Sequence, residues 1–155
     1  MTHTHGRHRN VAGFTAIELI VVLTLMALVA ALAAPAMGAY ANRQKTQRAL
    51  DRLTADIALA RMLAVRSGNR AVVEVTAPDS YRIWVEGTPA DTVRSVSLAS
   101  DYAGVVLSAS MPGGRLVFNS RGLLLTSGTS VLTARHGTAT DTLRITAAGR
   151  VYRVY

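Results

Sequence analysis

Hydrophobic and polar positions follow three patterns along this chain, and each predicts a different element. From Phe14 to Ala34 almost every residue is apolar, and the run continues to about Ala41 with one charge inside it, Glu18. A helix of that length is enough to cross a bilayer, which takes roughly 20 residues at about 1.5 Å rise each. From Asn42 to Ser67 the apolar residues Leu50, Leu53, Ile57, Ala60 and Ala64 recur at spacings of three and four. Arg43, Arg48, Arg52, Asp56, Arg61 and Arg66 fall largely between them, the signature of an amphipathic helix. Gly68-Asn69 supplies a stop signal. From Arg70 onward the period becomes two.

That third region predicts strands over Arg70–Thr76, Tyr81–Glu86, Thr92–Leu98, Gly104–Ala109, Arg115–Asn119, Leu123–Thr126, Ser130–Arg135, Asp141–Thr146 and Arg150–Tyr155. Val, Ile, Thr and Tyr are enriched in them. Turn residues separate them, among them Pro78-Asp79-Ser80, Pro112-Gly-Gly114, Ser120-Arg-Gly122 and Ala148-Gly149. Short strands at this spacing predict antiparallel sheets, two of them packed together. The fold class is therefore α+β: a long N-terminal helix with a membrane half and an amphipathic half, the latter packed on antiparallel sheets. Inside the helix, Pro35 removes a backbone donor and crowds the carbonyl four residues back, and Gly38 weakens the same turn. A kink or local melting between about Ala31 and Ala39 is expected.

Composition narrows the function classes. At 155 residues the chain suits one membrane helix and one small domain. It has no cysteine, which excludes disulfides and thiolate metal sites. Lys+Arg number 17 against 9 Asp+Glu, a net charge of +8. Such a surface attracts nucleic acid, anionic lipid or an acidic protein, although a GC-rich genome that spells its cations as Arg gives the same balance. No phosphate-loop, dinucleotide, zinc-protease or nucleophile-elbow motif occurs. His3, His5 and His8 match no common ligand spacing, and His136, the only other histidine, reads as a loop or strand-end side chain. Asp51, Asp56, Glu74, Asp79, Glu86, Asp91, Asp101 and Asp141 are scattered without visible pairing. The expectation is a protein that is not an enzyme and holds no cofactor or metal.

Glu18 is the exception that asks for a function. At a helix centre in the bilayer an acid costs about 2.5–3.5 kcal/mol on insertion scales, less near the interface. The residues around it, Gly13-Phe14-Thr15-Ala16-Ile17-Glu18-Leu19-Ile20-Val21-Val22-Leu23, resemble the processing and assembly signal of type IV pilins and type II secretion pseudopilins. The resemblance implies a leader, residues 1–13, cut after Gly13 by a membrane prepilin peptidase that N-methylates Phe14. It implies an assembly helix over 14–41, its amphipathic continuation over 42–68 and a periplasmic β domain over 69–155. Loss of Arg7 and Arg9 with the leader lowers the net charge from +8 to +6. The apolar run follows the cut, whereas a secretory signal peptide carries it before the cut, so this anchor survives processing. Arg7 and Arg9 favour a cytoplasmic N-terminus, but Arg43, Lys45, Arg48 and Arg52 beyond the span leave the charge count undecided. The orientation, and a place in the inner membrane, come from the resemblance. So does the role of Glu18 as counter-ion to the freed Phe14 amine, on its own chain or on a neighbouring subunit whose stagger it would set. Pro35 is the twenty-second residue after the cut, where many pilins also carry a proline.

A second resemblance covers the rest of the chain. Arg115-Leu-Val-Phe-Asn-Ser-Arg-Gly122, Ser127-Gly-Thr129 and Gly149-Arg-Val-Tyr-Arg153 are similar to the GspH/FimT branch, with its F-x-x-x-G turn and Gly-Arg terminal strand. It implies a minor pseudopilin of a type II secretion pseudopilus, with other pseudopilins or pilins, the prepilin peptidase and an inner-membrane platform as partners. The alternative it implies is a FimT-like minor pilin of a type IV pilus that binds DNA during uptake through a Gly-Arg-x-Arg tail. Here one extra residue separates the arginines, which puts Arg150 and Arg153 on opposite faces of a strand. Arg144, Arg150, Tyr152 and Arg153 are the residues expected to form such a surface.

Overall fold

The computed structural model describes residues 14–87, 92–125 and 129–154. Helix α1 runs over Ala16–Ser67, 52 residues. The chain divides into two compact units, up to Met37 and from Gly38 onward.

In the first unit every described residue is exposed, including Phe14, Ile17, Leu25 and Leu32. An uninterrupted apolar helix with no protein cover is what a lipid-facing span requires, and this one is long and apolar enough to cross a membrane. The segment from Ala31 to Ala39, where a kink or local melting is expected, is helical throughout, so no melting occurs there. The turns on either side of Pro35 hold their own hydrogen bonds, and one missing donor does not unravel a helix of this length.

The second unit holds two antiparallel four-stranded sheets. Strands β1 (Ala71–Ala77), β2 (Ser80–Val85), β3 (Thr92–Ser97) and β5 (Arg115–Phe118) form the first, in the order β3-β2-β1-β5. Strands β4 (Val106–Ser110), β6 (Ser130–His136), β7 (Ala139–Ile145) and β8 (Val151–Val154) form the second, in the order β4-β6-β7-β8. A one-turn helix, α2, covers Leu98–Asp101. Register keeps the apolar set on one face of each sheet: Val73 lies opposite Ile83 and Leu116, Ala71 opposite Val85 and Phe118, and Leu132 opposite Leu143. These residues join Ala49, Leu50, Leu53, Ile57, Ala60 and Ala64 of α1 in a single core.

Two strand expectations are corrected. Leu123–Thr126 is not a strand: its one ladder contact is an isolated bridge from Leu124 to Phe118, and Thr126 lies outside the described residues. The reason is local. Asn119 Oδ1 accepts from the backbone N–H of Arg121 at 3.0 Å and of Leu123 at 2.9 Å, closing a tight side-chain turn where a ladder would otherwise continue. The strand expected from Gly104 begins instead at Val106, because Gly104 sits at φ +86°, outside strand geometry. Asp56 is corrected as well. Grouped by pattern with the polar positions of α1, it is 2% exposed, beneath the helix.

Candidate functional site

The N-terminal site is built from the first turn of α1. Thr15 precedes the helix, and its Oγ1 accepts the backbone N–H of Glu18 at 3.3 Å, while its carbonyl accepts that of Leu19 at 3.2 Å. Thr15 is thus the N-cap, and Thr15-x-x-Glu18 has capping-box spacing. Sequence reasoning missed this local role for Glu18, although the spacing was there to be read. The carboxylate also sits where the helix dipole favours an anion. Phe14 and Glu18 are both exposed, and among the described residues no ion pair holds the Glu18 carboxylate. Gly13, with the leader histidines His3, His5 and His8, lies outside the described residues. Pro35 and Gly38 sit within α1.

The two quoted C-terminal motifs meet in space, which the sequence did not show. Gly122, at φ +73°, closes the F-x-x-x-G turn, and Gly149, at φ +72°, precedes β8. A Cβ on Gly149 would lie 3.0 Å from the Gly122 carbonyl oxygen and 3.3 Å from the Phe118 ring. A Cβ on Gly122 would lie 3.0 Å from Arg61 of α1. Both motifs thus mark one close approach of backbone and helix, a packing requirement more than a chemical one.

The four residues expected at a nucleic-acid surface separate. Arg144 and Tyr152 are register partners across β7 and β8, both exposed, and Arg150 lies on the same side of the strand as Tyr152. Arg153 turns the other way. Its guanidinium donates to Asp51 Oδ1 at 2.9 Å and to the Gln47 carbonyl at 3.1 Å, and lies 3.1 Å from Asp141. It ties the last strand to α1 and β7 and is withdrawn from the expected surface.

Among the described residues, six of the acids that looked scattered, Asp51, Asp56, Glu74, Glu86, Asp101 and Asp141, each lie within ion-pair distance of an arginine. Asp56 accepts the Tyr81 hydroxyl at 2.6 Å and the Arg94 guanidinium, and Asp101 accepts from Arg52 beside it. Burial, and then the hydrogen bond and charge of Asp56, push the Tyr81 phenol well above its ordinary pKa. Glu74 sits between Arg82, at 2.7 Å, and Arg115, at 2.7 Å. Burial alone would raise its pKa, but the hydrogen bonds from Arg115 and Arg82, with their charges, outweigh it and hold the carboxyl below the usual value of 4.5. A depressed acid contributes stability that is present above pH 4.5 and is lost as the pH falls below it. Glu74→Gln is therefore expected to flatten the acid limb of a denaturation series between pH 7 and pH 3. Parallel limbs in the two proteins would reject the assignment. His136, at the end of β6, packs over Gly104 with Nε2 3.1 Å from the Ala103 carbonyl.

The likeness to known proteins agrees with this geometry. The family model described as Type II transport protein GspH matches residues 49–149. The type IV minor pilin FimU of Pseudomonas aeruginosa strain PAO1 superposes with TM-score 0.62 at 18% identity, over 75% of this chain and 92% of FimU. A second crystal form of FimU gives 0.57 at 19%, over 70% and 92%. The minor pseudopilin EpsH from the Type 2 Secretion System of Vibrio cholerae gives 0.53 at 12%, over 71% and 96%. No curated protein matches by sequence. With a long apolar N-terminal helix that fits a single-pass membrane anchor, two antiparallel sheets on its amphipathic half and a family match over most of the folded unit, the chain belongs to the GspH family of pilin-like proteins, structural subunits that assemble with others of their kind.

Proposed function

We propose that this chain is a minor pseudopilin of a type II secretion pseudopilus. The prepilin peptidase cuts between Gly13 and Phe14 and methylates the Phe14 amine. Residues 14–41 then sit in the inner membrane with a cytoplasmic N-terminus, 42–68 continue the helix, and 69–155 form the periplasmic domain. An inner-membrane platform adds the subunit to the filament. The observation that carries this reading is the exposed Glu18 carboxylate, without an ion-pair partner among the described residues and placed in the first turn of an otherwise apolar helix. In lipid a lone acid needs a partner, and the terminal amine of a neighbouring subunit is a suitable one.

The experiment is replacement of Glu18 by Ala and by Gln. Gln keeps capping-box chemistry and loses the charge. If charge sets assembly, both variants insert and are processed, yet filament incorporation falls about tenfold or more. Normal incorporation of Glu18→Ala, or rescue by Gln alone, would remove the counter-ion role. Mass spectrometry of the mature N-terminus checks the cut independently.

The second reading is a FimT-like minor pilin of a type IV pilus that contacts DNA. Exposed Arg144, Arg150 and Tyr152 support it, and the ion pairs of Arg153 count against it. The description of the matched family, Type II transport protein GspH, is what supports the secretion reading.

A further inference from the structure

Between α1 and β8 runs a groove of about 750 Å³. Its apolar lining comes from Met62 and Val65 of α1, each about half exposed, and from Val151 and Tyr152 of β8. Three arginines line it: Arg61, Arg66 and Arg150. Among the described residues none of the three has an ion-pair partner, and no acid lines the groove. Its strand wall is also an open sheet edge. β8 is outermost in its sheet, paired to β7 on one side and to no described strand on the other. An unpaired strand edge presents alternating N–H and C=O groups that template another strand.

We propose that this groove receives an extended acidic segment of a partner protein as an added strand on β8. The chemistry of the occupant follows from the walls. Side chains of an added strand alternate between two faces. Those turned toward α1 meet Met62 and Val65 and must be apolar. Those turned outward run beside Arg150 and Tyr152 and take Asp or Glu, and the positive charge of Arg61 and Arg66 on the helix wall favours an acidic segment over a basic one. A nucleic acid fits less well. Phosphates gain from the arginines, but the edge carbonyls repel them and the apolar lining offers them nothing. This proposal is independent of Glu18 and of processing, since every residue it uses lies in the folded unit.

The test uses the full chain in zwitterionic nanodiscs and a fluorescein-labelled peptide in which Val and Ile alternate with Asp and Glu. Saturable binding by anisotropy is expected. It should weaken about tenfold or more when Lys replaces the acids, and again when alternate peptide amides are N-methylated. The second change leaves every side chain in place and removes only the backbone donors. On the protein, Arg150→Glu should weaken binding by a similar factor without shifting the melting temperature, and the amides of Val151 and Arg153, which point away from β7, should exchange more slowly in the complex. Equal binding of the N-methylated or lysine peptide, or no saturable binding, would overturn the proposal. So would duplex DNA that displaces the peptide at lower concentration. The peptide comparisons decide the matter even if an arginine variant folds poorly.

Discussion

Asp56→Ala is expected to destabilise the folded unit by about 3 kcal/mol, far more than its place among the charged positions of an amphipathic helix would suggest. The carboxylate is 2% exposed and accepts from Tyr81, itself fully buried, and from Arg94. Removing it leaves a buried phenol without an acceptor and a guanidinium without its counter-charge. Breaking one side of a fully buried pair costs roughly 3–5 kcal/mol. The lower end applies here, because the Arg94 side chain is 46% exposed and recovers part of its hydration. Tyr81→Phe removes only the hydrogen bond and should cost about 1 kcal/mol. Chemical denaturation of the two single variants and the double variant would show strong non-additivity. A change within about 0.5 kcal/mol for Asp56→Ala, the range of an ordinary surface site, would show that the cluster is not formed.

Phe118→Ala should be at least as damaging, by about 3–5 kcal/mol. The ring is fully buried at the end of β5, with Ala71 as its register partner, Leu124 bridged to its backbone and Gly149 against its edge. Both glycines of the quoted motifs converge on this place, so the surrounding backbone has little freedom to collapse into the cavity. A fall in melting temperature of about 10 °C or more, read from the near-ultraviolet signal, is the expected result. Leu125→Ala, half exposed three positions past Gly122, is the control and should shift it little. Similar losses in the two variants would mean that the F-x-x-x-G segment does not serve as a packing hub.

The helix was readable almost to the residue, from expected bounds of Phe14 and Ser67 to observed bounds of Ala16 and Ser67. Its periodic apolar positions, Leu50, Leu53, Ile57, Ala60 and Ala64, are all buried. Most strands were readable within one or two residues, since alternation and turn glycines are local signals. The errors have local causes of another kind. An asparagine side chain replaced a ladder after Phe118, and a glycine at positive φ delayed β4. Periodicity counts faces and does not register such side-chain competition.

The candidate sites divide in the same way. Phe14, Thr15 and Glu18 lie within one turn, so their proximity was available from the sequence alone, even where the capping role of Thr15 was overlooked. Arg153 was not readable. Its partners Gln47 and Asp51 are 106 and 102 residues away, and nothing in a local pattern separates an arginine that latches a strand from one that waits for a ligand. The same holds for Asp56 with Arg94, 38 residues apart, and for Glu74 with Arg115, 41 residues apart.

The amino-acid order by itself determined the apolar span, the amphipathic continuation, the antiparallel β domain and the family to which the chain belongs. Each of these rests on periods of two and between three and four, or on contiguous motifs. Tertiary structure alone decided which charges are internal partners: Asp56, Glu74 and Arg153 are bound, while Arg61, Arg66 and Arg150 have no ion-pair partner among the described residues and line a groove beside an open strand. The physical reason is that a charge takes its role from what surrounds it in space. Desolvation and pairing depend on residues brought together by sheet register and helix packing, and those contacts leave no periodic trace along the chain.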